Sequence, residues 1–282
     1  MTKKSNLLCV TGCSHTAGTE SYDPFYIENY ESFANTYRSK PNHEVKKKLF
    51  HLRTKYLLSK KNKSFFNKMV TNPIFYASLV ERYFQYMDKK SSWPNTLKNL
   101  FPDYDVVNLA TSGASFKRSI SNFINFLKRN RYEKIIAIHQ VPSLGRTYIK
   151  IKGVKYDFSA VGFFEEQTYL IGTEDKAPYD VIKTQYKKII QRDINSNYFV
   201  RARKKHLELL KKISLKFNVK NYYITEDVED YKLFANEKVI LKDFLMFRDN
   251  YKKGSRRHVV DNQFTKDIAD IVYRFLSEDL KE

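Results

Sequence analysis

Four short apolar runs constrain this chain most: "LLCVTG" at 7–12, "VVNLA" at 106–110, "KIIAIHQ" at 134–140 and "VKNYYITE" at 219–226. Each is apolar almost throughout and does not alternate with polar residues. Strands buried on both faces of a parallel sheet read this way, because helices cover both sides. Helical patterns lie between the runs. Over 115–130, Phe116, Ile120, Phe123, Ile124 and Leu127 share one face. Over 198–218, Val200, Leu207, Leu210, Ile213 and Leu215 form a looser stripe. A last helix at about 262–280 carries Phe264, Ile268, Ile271, Val272, Phe275 and Leu276, with Asp261 or Asn262 able to cap its start.

Strands that alternate with helices imply βαβ units. The expected fold is a three-layer α/β/α, flavodoxin-like domain with a mostly parallel sheet. The 282 residues are read as one domain, 1–282, with two insertions. One spans about 22–95 and is helical and basic. The other spans about 145–195, where alternation around Gly153 predicts a β-hairpin. No apolar run is long enough to cross a membrane, and the apolar N-terminal run is too short for a signal peptide. Two cysteines, Cys9 and Cys13, give no disulfide framework. A reducing, cytoplasmic setting is expected, the host cytoplasm for a viral chain.

The formal charge of +20 raises the question of nucleic acid. Its distribution is uneven: residues 38–68 hold eleven Lys or Arg against the single acid Glu44. That segment can track an anionic partner or form a solvated helix face. No recognition motif for nucleic acid accompanies it.

In a parallel sheet, ligands bind outside the carboxyl ends of the strands. Those ends deliver Gly12, Cys13, Ser14 and His15; then Thr111 to Ser115; then His139 and Gln140; then Glu226 and Asp227. The stretch "VTGCSHTAGTE" at 10–20 is the densest of them. It lacks the GxxxxGK pattern of a phosphate loop and the GxGxxG pattern of a dinucleotide site. Metal binding by Cys9, Cys13 and His15 is disfavoured, because Cys9 points into the sheet and no further ligand cluster completes a site. A Cys13 nucleophile is a second option, since a thiolate at a helix-entry turn can be activated.

A Ser14 nucleophile needs a base, oxyanion donors and a tight turn. Gly12 and Gly18 allow the turn. The backbone N–H groups of Ser14 and Gly113 can donate to an oxyanion, and Gly113 has no side chain to block approach. His258, just before a helix start, can serve as a neutral base. The structural alternative is Ser14 capping a turn and His258 exposed on a loop. No cofactor and no metal are called for.

These residues resemble the SGNH (GDSL-like) hydrolase family. "VTGCSHTAG" is similar to its first block, GDSxTxG: Gly12, Ser14, Thr16 and Gly18 match, and Cys13 stands where the family has Asp. "WPNTLKNLFPDYDVVNLATSGAS" resembles the approach to the second block, through Asn108 and Gly113. "HVVDNQFTKDIADIVYRFL" resembles the fifth, a His before a terminal helix. The Lys-, Asn- and Tyr-rich style is similar to viral and phage-type members. The resemblance implies a serine esterase acting on a carbohydrate O-acyl ester or a small ester. Ser14 and His258 would be catalytic, with Ser14 and Gly113 in the oxyanion hole.

Two departures stand out. The third strand ends in "IHQVPSLGR" without the GxND block, leaving Gln140, or His139, as a substitute oxyanion donor. Ser255 replaces the Asp three residues before His258, leaving Asp249 or Asp261 to orient the imidazole. Loss of such an acid costs up to about 10⁴ in rate. The alternatives are an SGNH-fold protein that binds without hydrolysing, and a nucleic-acid-associated protein using 38–68. The 145–195 hairpin is expected to border the substrate site.

Overall fold

The computed structural model describes residues 5–13, 92–111, 114–151, 154–158, 179–226, 228–251 and 262–281. Strand β1 (Asn6–Thr11) is followed, after residues 14–91, by helix α1 (Trp93–Leu100) and β2 (Tyr104–Asn108). Helix α2 (Phe116–Arg129) leads to β3 (Lys134–Val141). A hairpin of β4 (Thr147–Ile151) and β5 (Val154–Phe158) comes next, then α3 (Tyr179–Ser196) and α4 (Tyr198–Phe217). The chain ends with β6 (Val219–Thr225), α5 (Val228–Leu233), β7 (Val239–Leu241), α6 (Phe244–Asp249) and α7 (Asn262–Asp279).

Five strands form one parallel sheet in the order β2-β1-β3-β6-β7. The strand order reverses between β1 and β3, the switch point at which flavodoxin-like sheets open a ligand crevice. The pleat divides the strands between two cores. Leu8, Val10, Ile136, Ile138, Tyr222 and Ile224 face α1, α6 and α7. Leu7, Cys9, Ile135, Ala137 and Tyr223 face α2 and α4. The result is the expected three-layer α/β architecture.

The helices follow from their residues. In α2, Phe116, Ile120, Phe123 and Leu127 are buried at intervals of three or four, and Ser115 accepts the Arg118 N–H as N-cap. In α1, Pro94 stands in the first turn, where its missing N–H costs nothing. Trp93 and Leu97 then pack in the core with Ile268 and Val272 of α7. Trp93 falls inside the range expected for the basic insertion, yet it belongs to the central domain. Positions 22–91 of that insertion, with the basic segment 38–68, lie outside the described residues.

The stripe expected on α4 needs adjustment. Leu207, Leu210 and Ile213 are buried, but Leu215 is 89% exposed and Arg203 is buried instead. Leu215 lies five residues past Leu210, roughly 140° away around the helix. Helix α4 ends at Asn218 in the left-handed conformation (φ 53°), which Asn tolerates better than most residues. The hairpin expected around Gly153 is present as the antiparallel pair β4–β5, with Ile151 opposite Val154. It packs against α2 and α3 and follows the carboxyl end of β3. No described helix is long and apolar enough to cross a membrane.

Candidate active site

The end of β1 is tied to its neighbours by backbone bonds. Leu109 N–H donates to the Val10 carbonyl at 2.8 Å, and Thr111 N–H to the Gly12 carbonyl at 3.2 Å. The Ser119 hydroxyl on α2 reaches the same Gly12 oxygen at 3.4 Å. The loops after β1 and β2 therefore leave the sheet side by side. Gly113 lies outside the described residues, between Thr111 and Ala114. Those two flanking residues are themselves joined, Ala114 N–H to the Thr111 carbonyl at 3.0 Å. Asn108 anchors the base of this loop: its Oδ1 accepts the Ala110 N–H and its Nδ2 donates to Ser92 Oγ.

Cys13 is fully buried and meets two other strand ends. Its Sγ lies 3.2 Å from Glu226 Oε1, just past β6, and 3.5 Å from Gln140 Oε1 on β3. A thiol has one proton to donate, and the nearer carboxylate oxygen is the better acceptor. The other carboxylate oxygen, Glu226 Oε2, accepts the Ser143 N–H at 2.7 Å. One acid thus pins the loop after β1 and the loop after β3. At position 13 the chain sets a thiol against a carboxylate that arrives from β6. The sequence places Glu226 at a strand end without pointing to a role for it. Its signal was its place as an acid directly ending a buried strand.

Gln140 is also fully buried, and its side-chain carbonyl faces Cys13. His139, the other residue considered as a donor, points to the opposite face of β3. Its Nδ1 is 2.9 Å from Thr11 Oγ1 and its Nε2 is 3.0 Å from Asn221 Oδ1. An amide oxygen can only accept, so Nε2 carries the proton and Nδ1 accepts from Thr11. Burial lowers the His139 pKa to about 4, against the hydrogen bond to Asn221, which raises it. The imidazole is neutral and closed in by side chains.

Asp249 ends α6, and its Oδ1 is taken by the Arg248 guanidinium, with Nε at 2.9 Å and Nη2 also bonded. Its side chain is 53% exposed. Ser14, His258 and Asp261 lie outside the described residues, as does His15. Ser14 nevertheless follows Cys13 by one peptide bond, about 3.8 Å from Cα to Cα. Cys9 lies in the α2-facing core, where burial raises its thiol pKa and disfavours the thiolate that would ligate a metal. Among the described residues no three His, Cys, Asp or Glu side chains form a metal cage.

No protein-family model matches the chain, and no curated protein and no solved structure matches it either.

Proposed function

We propose that the chain is an SGNH-like serine ester hydrolase acting on a carbohydrate O-acyl ester or a small ester. Ser14 Oγ attacks the ester carbonyl while His258 takes its proton. Backbone N–H groups of Ser14 and Gly113 stabilise the oxyanion, and the buried Gln140 supports the turn through Cys13. His258 returns the proton to the departing alcohol, leaving an acyl-serine. It then activates water to release the acid.

One observation carries this reading. Cys13, the residue before Ser14, is buried at the β1/β3 switch point against Gln140 and Glu226. A nucleophile must be held on a rigid turn at the crevice, and the residue that precedes it is held there by two strand ends. A second reading, an SGNH-like fold that binds an ester-bearing ligand without hydrolysing it, has one observation in its favour. Asp249, one of two acids available to orient His258, is already paired with Arg248.

Labelling with a fluorophosphonate probe separates the two. The reactive serine of a hydrolase attacks the probe and keeps it. The hydrolase reading predicts one adduct, mapped to the peptide containing Ser14 and absent from Ser14→Ala. No adduct, or an adduct on another serine, would leave the binding reading.

A further inference from the structure

A cavity of about 430 Å³ opens between the first turn of α2, the loop 144–147 and the first two turns of α4. Its volume suits a small molecule. Its charge is one-sided. The described lining includes Lys117, Arg146, Arg201, Arg203 and Lys205, and no Asp or Glu. Arg203 is partly neutralised, because it lies 3.4 Å from buried Asp230 and donates to the Pro142 carbonyl at 2.6 Å. Lys117, Arg146, Arg201 and Lys205 border the same concavity. Cations gathered in a concave lining attract anions to it.

Phe116 and Lys117 open the 14-residue helix α2, which brings its positive end to the cavity. Tyr198 and Phe199 open the 20-residue helix α4, where the Phe199 N–H donates to Asp193 Oδ1 at 2.7 Å, so a carboxylate already offsets that helix end. His206 on the same wall has its pKa lowered to about 4, first by burial and then by Arg203 and Lys117. It stays neutral at pH 7 and can hydrogen-bond a ligand. The rings of Tyr198 and Phe199 supply flat apolar surface beside the cations.

We infer that this cavity binds a soluble small molecule carrying a phosphate or diphosphate group. Four cations exceed what one carboxylate needs. Two of them are arginines, whose planar forks match phosphate oxygens in pairs. The volume of about 430 Å³ suits a small ligand rather than a polymer, which needs an extended track. This inference does not depend on the ester-hydrolase reading.

Calorimetric titration of the full chain with inorganic pyrophosphate at low salt tests it. Saturable binding is expected, weakened at least about tenfold in Arg146→Ala/Arg201→Ala and in Lys117→Ala/Lys205→Ala. Thermal melts should show both variants folded. Lys216→Ala removes a charge about 16 Å further along α4 and should leave the affinity unchanged. No saturable binding to the wild type would overturn the inference. So would an equal loss in Lys216→Ala, which would mean diffuse charge attraction. A short single-stranded oligonucleotide or a phosphatidic acid vesicle that binds more tightly than pyrophosphate, and loses that binding in the double variants, would also overturn the small-molecule assignment.

Discussion

Strands β1, β3 and β6 carry two buried polar clusters that are close neighbours and differ in kind. Thr11, His139 and Asn221 sit inside the strand ladder, with Thr11 and His139 in direct register. The His139 ring packs near Phe123 and Tyr223, and Asn221 passes the chain of bonds on to Ser214. Every group in that cluster is used up by another. Cys13, Gln140 and Glu226 lie at the strand ends, and their bonds hold loops. The difference teaches that position along a parallel strand decides what a polar residue is for. Inside the ladder its neighbours complete it; past the ladder it ties down the loops that leave the strands.

Substitution of His139 by Leu should have the largest effect on stability. It strands the buried Thr11 hydroxyl and the Asn221 amide, at a cost of about 2–5 kcal/mol in chemical denaturation. Turnover per folded molecule should stay within a few fold, since the ring is closed in among core side chains. A selective loss of turnover would break the comparison. Acid should act through the same residue. The folded His139 pKa of about 4 lies below the ordinary 6.5, so the unfolded chain binds more protons between those values. The stability it confers is complete above pH 6.5 and is lost as pH falls toward 4, on the order of 3 kcal/mol. In His139→Gln the slope of stability against pH over that window should shrink. An unchanged slope would mean that His139 is not buried neutral.

The strand-end cluster should respond the other way. Glu226→Gln keeps an acceptor but loses one carboxylate oxygen, so the loss of stability should be about 1–2 kcal/mol. Ester turnover should fall at least about tenfold, a cost of roughly 1.4 kcal/mol in the barrier, because both loops lose their common anchor. Stability lost without turnover would make Glu226 a plain structural acid. Cys13→Ser should do least, under about 1 kcal/mol, since serine keeps the donor to Glu226. It should retain hydrolysis, and native Cys13 should resist iodoacetamide because it is fully buried. Activity lost in Cys13→Ser would make the thiol the nucleophile.

The sheet was legible in the sequence because burial on both faces leaves unbroken apolar runs, which is how β1, β2, β3 and β6 stood out. β7 did not stand out, because three half-buried residues make too short a run to separate from a loop. Helices α2 and α7 matched their stripes within a residue or two. Helix α4 misled because a buried arginine, Arg203, occupies a core position that hydrophobic patterning cannot assign. At the site, Gly12 and Cys13 were legible as a strand-end turn. The bond from Cys13 to Glu226 was not, since 213 residues separate the partners and no local pattern couples them. The same holds for the cations of the α2–α4 cavity, which are scattered through the chain and converge only in space.

The central claim is that the turn held by Cys13, Gln140 and Glu226 presents Ser14 as a nucleophile. Hydrolysis of a short-chain aryl ester by the wild type and by Ser14→Ala tests it most directly. The account predicts measurable turnover by the wild type and a fall of at least about a thousandfold in Ser14→Ala, with unchanged thermal stability. Equal rates for the two proteins, or no turnover by the wild type across a panel of short-chain esters, would contradict it.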